Sequence, residues 1–146
     1  MNTEKIEILK IEKKDGLFLY GLYNENIVKN NFFSKKNISY SKHLIWLNHE
    51  IKSNAFNYKI KNKFDIGNIR FKKIGRKNFE ISIAILNKYK KKGLAKFALK
   101  KVLSFEYFKD KKIYAKIKNN NLVSKKFFLK CGFKLNSHKT YIYYNK

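Results

Sequence analysis

Tyr89-Lys90-Lys91-Lys92-Gly93-Leu94-Ala95-Lys96 follows a strand-like run, Phe79 to Leu86, that breaks at Asn87 and Lys88 and restarts as a helix. The first amides of any helix lack carbonyl partners, and its dipole places about half a positive charge at that end. Such a turn binds anions. Gly93 and Ala95 let a phosphate come close to the backbone, and Lys90, Lys91 and Lys92 bring mobile positive charge. A second stretch, Asn121 to Phe133, opens on an N-capping asparagine and closes on Gly132, a residue suited to the left-handed position that ends a helix.

Outward from these two stretches, the boundaries follow from hydrophobic period, because the chain has no proline and no repeat. Glu4 to Lys10 alternates as a first strand, and a short helix follows from Asp15, read as its N-cap, to about Asn24. A second helix, from Ser39 or Ser41 to about Ser53, carries Tyr40, Leu44, Leu47 and Ile51 on its apolar face. His43, Trp46 and Glu50 fall together on a neighbouring face, a candidate substrate wall.

Three strands, Ala55 to Lys61, Ile66 to Ile74 and Phe79 to Leu86, with turns at 62–65 and 75–78, then form an antiparallel meander. In the third, Phe79, Ile81, Ile83 and Ile85 share one face, and Glu80, Ser82 and Ala84 the other. The helix from Gly93 to about Phe105 buries Leu94, Phe97, Ala98, Val102 and Phe105 and turns Lys96 and Lys100 outward. A strand, Ile113 to Ile117, precedes the Asn121 helix, which packs Val123, Phe127, Phe128 and Cys131. Phe133 to Leu135 and Thr140 to Tyr144 close the chain as strands. This order predicts a mixed α/β sheet, mostly antiparallel and flanked by about four helices, in a single domain over residues 1–146.

Composition narrows the function. The formal charge of +25 invites a nucleic-acid reading, yet arginine occurs only at 70 and 76, so the other 33 of the 35 basic residues are lysine. Lysine spread over the whole chain beside abundant Asn, Ile, Phe and Tyr points to an AT-rich coding sequence and a solvated surface. Specific readers of phosphate and guanine favour the arginine fork, so nucleic acid is a disfavoured partner. One cysteine, Cys131, excludes an internal disulfide, and histidines at 43, 49 and 138 show no zinc-ligand spacing, so no metal is expected. With no signal-like start and no long apolar run, the expected location is the cytoplasm, with no membrane partner.

These motifs resemble those of the GNAT superfamily of acyl-CoA-dependent N-acetyltransferases over nearly the whole chain. The family's acetyl-CoA motif (Gln or Arg, two residues, Gly, any residue, Gly or Ala) is matched by Lys90, Gly93 and Ala95, with Lys90 a departure. Its later pattern is matched by Asn121, Ser124, Phe128, Gly132 and Phe133. The resemblance implies that amides from Lys91 through Lys96 bind the pyrophosphate, that Asn121 contacts the pantetheine arm, and that the backbone of Ile83, Ala84 and Ile85 holds pantetheine where this strand splays from its neighbour. Ser124 and Phe128 belong to the same cofactor wall. Acetyl-CoA is the implied co-substrate.

A more local likeness, over Leu17 to Trp46, is to acetyltransferases of amino sugars on nucleotide carriers, of the pseudaminic-acid pathway type. It rests on Tyr23-Asn24, Val28-Lys29, Ile38, His43 and Trp46, with Tyr23 replacing the subgroup's arginine. It implies an acceptor side lined by Tyr23, Asn24, His43 and Trp46, and a nucleotide-linked amino sugar as the small-molecule acceptor. A peptide or protein amine and a catalytically weak acyl-CoA-binding module stay open as alternatives, as does monomer or homodimer.

Two positions that carry catalysis in many relatives hold other chemistry here. A family glutamate corresponds to Lys116, and the tyrosine proposed to protonate the departing thiolate corresponds to Phe128. That leaves Glu80 as candidate base and Tyr141 or Tyr143 as candidate proton donor.

Overall fold

The computed structural model describes residues 5–25, 38–137 and 139–146. Val28-Lys29, the Glu4 start of the first strand and His138 lie outside the described residues. Among the described residues a seven-stranded sheet is assembled from β1 (Glu7–Lys10), β2 (Phe56–Asn62), β3 (Phe64–Lys73), β4 (Asn78–Ile85), β5 (Lys111–Lys116), β6 (Lys134–Ser137) and β7 (Thr140–Asn145). The spatial order is β1-β2-β3-β4-β5-β7-β6. Every pairing is antiparallel except β4 with β5. Four α-helices cover it: α1 (Gly16–Tyr23), α2 (Tyr40–Lys52), α3 (Leu94–Leu103) and α4 (Leu122–Lys130). The mixed, mostly antiparallel sheet with four helices is the architecture expected from periodicity and motif.

The two sheet faces differ in chemistry. On one, Phe79, Ile81, Ile85 and Ile113 meet Leu94, Ala98, Leu99 and Val102 of α3 and Phe128 of α4 in the main apolar core. Phe71, Phe79 and Phe108 are among its largest fully buried side chains. Burying an aromatic or branched aliphatic side chain is worth about 1.5–3 kcal/mol, so this face carries most of the stability. On the other face α1 and α2 bury a small apolar set, Ile11, Leu19 and Leu47, beside polar groups: Asp15, His43, Glu50, Asn57, Lys59 and Asn68 are all nearly inaccessible to solvent.

Several sequence expectations are corrected by these partners. Asp15 stands at the N-cap of α1 as expected, but its side chain makes no capping bond; the carboxylate accepts from the Glu12 amide at 2.8 Å and pairs with buried Lys59 at 2.6 Å. The fully buried residues of α2 are His43, Leu47 and Glu50; of the expected stripe Leu47 is buried, Leu44 and Ile51 are half-buried, and Tyr40 is exposed. The reason is tertiary: Glu50 finds charged and amide partners on the sheet, so its burial costs little. The β2–β3 turn centres on Lys63, at φ 63°, rather than spanning 62–65. Val123 lies on the solvent side of α4, 78% exposed, and Leu99, unmarked in the sequence reading, is buried.

Candidate active site

The parallel pairing of β4 with β5 covers only Asn78 to Glu80 against Lys112 to Tyr114. Beyond that rung the strands separate, and β4 runs on to Ile85 bonded to β3 alone. Backbone direction within β4 follows from two hydrogen bonds. Leu86 donates to the Ile66 carbonyl of β3, so even-numbered residues face β3, while the Lys77 carbonyl accepts from Lys112 of β5, so odd-numbered residues face β5. In the last rung the Ile81 N–H is spent on Tyr114, so the Ile81 C=O and the N–H and C=O groups of Ile83 and Ile85 point into the fork. Buried peptide groups are almost always paired, so a strand edge opened in mid-sheet is a place built for a ligand. Ala84, placed with Ile83 and Ile85 on that wall by the sequence reading, turns its backbone to β3 and its methyl toward Leu22 of α1.

At the end of the fork stands the turn into α3. Gly93 occupies the N-cap in the left-handed region at φ 73°, with no side-chain cap, and a Cβ there would meet nothing within 4 Å. The first bond of the helix runs from Phe97 N–H to the Gly93 carbonyl at 3.2 Å. Among the described residues the backbone N–H groups of Lys91, Lys92, Gly93, Leu94, Ala95 and Lys96 have no acceptor. Lys91 is itself left-handed, at φ 62°, which helps turn successive amides the same way. A diphosphate fits this array: the donors are unpaired and the helix dipole favours negative charge. Lys91 and Lys92 are exposed beside it, whereas Lys90 is half-buried. Burial lowers the Lys90 ammonium pKa, with Glu25 acting against the shift.

Asn121 caps α4, its Oδ1 accepting from Ser124 N–H at 3.1 Å, which leaves its amide nitrogen available. Phe128 is buried in the main apolar core, edge-on to Phe133 at 4.9 Å. Gly132, at φ 93°, follows the end of α4 as expected. Cys131 is half-buried and its thiol pKa is raised by burial, with Lys96 and Lys100 partly offsetting this.

Glu80 sits on the last paired rung, on the α1–α2 face of the sheet, with Lys116 Nζ 3.5 Å from its Oε2. A carboxylate and an ammonium thus meet where the strands part. Tyr141 and Tyr143 are on the opposite face: Tyr141 pairs in register with core residue Ala115, is 7% exposed and belongs to the main apolar cluster. The fold does not bring Glu80 and Tyr141 together.

The acceptor-side residues gather more closely. Tyr23 and His43 rings lie 6.0 Å and 5.5 Å from Trp46, and 6.0 Å from each other. Asn24 is not among them; it is exposed and closes α1 by donating to the Tyr20 carbonyl at 2.8 Å. Beneath the aromatic group runs a polar chain that sequence reading missed. Tyr23 Oη donates to Asn68, Asn68 donates to Asn57 at 2.6 Å, Asn57 donates to Glu50 at 3.1 Å, and Arg70 grips Glu50 through Nε at 3.0 Å and Nη2 at 2.6 Å. Burial pushes Tyr23 strongly upward. It also pushes Glu50 upward, but hydrogen bonds from Arg70 and Asn57 outweigh it and hold the carboxyl below its ordinary range. The one hint in the sequence was the scarcity of arginine.

A sheet forked between two parallel strands, with an unpaired amide array at the helix that follows, defines an acyl-CoA-dependent acyltransferase. The family model described as acetyltransferase (GNAT) domain matches residues 7–134, and the chain belongs to that family. It is an N-acetyltransferase that uses acetyl-CoA as co-substrate. Among solved structures, a GNAT-family acetyltransferase from Bacillus anthracis superposes with TM-score 0.84 at 20% identity, covering 99% of this chain and 98% of that one. Spermidine N-acetyltransferase from Vibrio cholerae, in complex with CoA and spermine, gives 0.79 at 19% identity over 95% and 92%. An N-acetyltransferase from Staphylococcus aureus Mu50 gives 0.76 at 16% over 97% and 99%. These likenesses concern the fold. No curated protein matches in sequence. Among the described residues no group of three His, Cys, Asp or Glu side chains could hold a metal ion, and no helix is long and apolar enough to cross a membrane.

Proposed function

We propose that the chain, acting as a single catalytic domain in the cytoplasm, acetylates a primary amine on a nucleotide-linked amino sugar. The amides of Lys91 to Lys96 hold the diphosphate of acetyl-CoA, the inward C=O of Ile81 and the N–H and C=O groups of Ile83 and Ile85 hold its pantetheine arm, and Asn121 contacts that arm from α4. Bound this way, the co-substrate supplies an activated acetyl thioester at the point where β4 and β5 diverge. Glu80 takes the proton of the incoming amine, directly or through a water, while the C–N bond forms, the thioester C–S bond breaks and the departing CoA thiolate takes a proton from solvent. Lys116 keeps that amine from being held as an ammonium, because a nearby cation favours the neutral form. A β4 amide facing the fork stabilises the charge that develops on the carbonyl oxygen.

The observation that carries this reading is the coincidence of the Glu80–Lys116 pair with the last rung of the β4–β5 ladder. It supports a proton-accepting group beside the thioester. For the acceptor, the exposed part of the α1–α2 face near the fork carries Lys72, Arg70 and Lys116 against Glu80, with Glu50 already bound by Arg70. That balance suits an acceptor that carries negative charge. A polyamine is the second reading, favoured by the likeness to a spermidine N-acetyltransferase holding spermine. It needs carboxylates free to receive cations, and both carboxylates here face cations of the chain itself. Acceptor-dependent CoA release decides between them: a uridine-diphosphate amino sugar should turn over at least about tenfold more efficiently than spermidine or a peptide amine. The reverse order would overturn the amino-sugar assignment.

A further inference from the structure

Arg70 is one of only two arginines in a chain otherwise dependent on lysine, and its guanidinium is fixed rather than free. Glu50, 6% exposed, takes the Nε–H and one Nη2–H; Asn57, 1% exposed, holds Glu50 from behind; Trp46 lies over the guanidinium carbon at 5.9 Å. An arginine gripped along one edge cannot rotate to serve another partner, so its other edge is presented in a set direction. The N–H groups of Nη1 and the second of Nη2 meet no acceptor among the described residues, and the side chain is 26% exposed. On the sheet Arg70 pairs with Ser82, one same-face position along β4 from Glu80. By strand spacing this puts the Arg70 and Glu80 backbones about 8 Å apart.

We propose that the outward edge of Arg70 is a subsite for a phosphate of the acceptor, holding it at a fixed distance from the amine delivered to Glu80. The inference rests on the amino-sugar reading above. Glu50, Asn57, Asn68 and Tyr23 are then positioning residues: they aim the fork and do not touch the acceptor through it. Since Arg70 and Glu50 cancel in charge, the subsite works by directed hydrogen bonds, while Lys72 and Lys116 supply attraction at longer range.

The test compares three acceptors with the same amine: the free amino sugar, its 1-phosphate and its uridine-diphosphate conjugate. The double variant Arg70→Met with Glu50→Gln removes both charges, so no buried carboxylate is stranded, and Arg70→Lys keeps the charge without the fork. In the double variant KM for the two phosphate-bearing acceptors should rise about 10- to 100-fold, the range for hydrogen bonds to charged groups, with kcat less affected. KM for the free sugar and for acetyl-CoA should stay within about twofold. Arg70→Lys should lose most of the same discrimination. A rise confined to the diphosphate conjugate would place the contact at its second phosphate. A parallel loss on all three acceptors, or none, overturns the inference.

Failure of the substrate reading looks different: the wild type would show no preference among the three. In that event uridine diphosphate is the probe. Inhibition competitive with the acceptor but not with acetyl-CoA, and lost in both variants, upholds the subsite; absence of such inhibition refutes it.

Discussion

The fork between β4 and β5 and the polar layer under α1 and α2 are built on opposite rules. In the fork and the turn beyond it, backbone amides from Lys91 to Lys96 and the inward edge of β4 at Ile83 and Ile85 have no partner among the described residues. Under the helices, Tyr23, Asn68, Asn57, Glu50 and Arg70 are joined in a continuous chain of hydrogen bonds. A ligand site must keep its donors unspent, whereas a buried polar layer is tolerable only when its members are satisfied. One region leaves its donors open for a ligand, proposed to be acetyl-CoA, and the other is completed by the chain itself. Glu80, Lys116 and the outward edge of Arg70 lie at the border between them.

The difference can be tested from both sides. Glu80→Gln should lower kcat at neutral pH by about 10²–10⁴-fold with little change in KM for acetyl-CoA, since it removes a proton acceptor and leaves the amide array intact. An unchanged pH–rate profile in that variant would remove Glu80 from the mechanism. Glu50→Ala should act on stability instead, costing about 3–5 kcal/mol in denaturant unfolding, because Arg70 and Asn57 lose a buried partner. A cost below about 1 kcal/mol would mean that the polar layer is solvated and the contrast false.

Smaller effects discriminate further. Gly93→Ala adds a methyl where there is open space but forces a non-glycine residue to φ 73°. It should weaken acetyl-CoA binding about tenfold by calorimetry while lowering stability by about 1 kcal/mol. Equal affinity would show that the turn does not grip the diphosphate. His43 is the one imperfect member of the satisfied layer: its Nε2 is buried without a partner among the described residues. Burial lowers its pKa, with the Gly16 backbone opposing. The folded state therefore disfavours the proton. His43 contributes stability that is fully present above the ordinary value of about 6.5 and declines as pH falls through it. Unfolding free energies at pH 7.5 and 5.5 should differ by up to about 1 kcal/mol more in the wild type than in His43→Phe.

How much of this was legible depended on whether the chemistry was local. Gly93, Ala95 and the Asn121–Gly132 spacing announced the open amide turn and the capped helix because a helix start exposes its amides whatever packs around it. The alternation of Phe79 to Ile85 likewise gave the correct core face. Glu50 was grouped with His43 and Trp46 on a candidate substrate wall, but that it is buried was not legible, because its burial depends on Arg70 and Asn57, residues on two other elements. Asp15 was placed correctly at the start of α1, but its side chain's partner was not legible: Lys59 lies 44 positions away along the chain. Whether Tyr141 shares a face with Glu80 depends on register across β5, and that register puts them on opposite faces.

By itself, then, the order of residues determined the elements, their succession and the anion-binding turn, since period, capping and unpaired amides act within a few residues. Where β4 and β5 part, that Glu80 meets Lys116 there, and that Arg70 is clamped with one edge outward were decided only by tertiary structure. Each requires strands distant in sequence to meet in one register, and a one-residue slip would send those side chains to the other face.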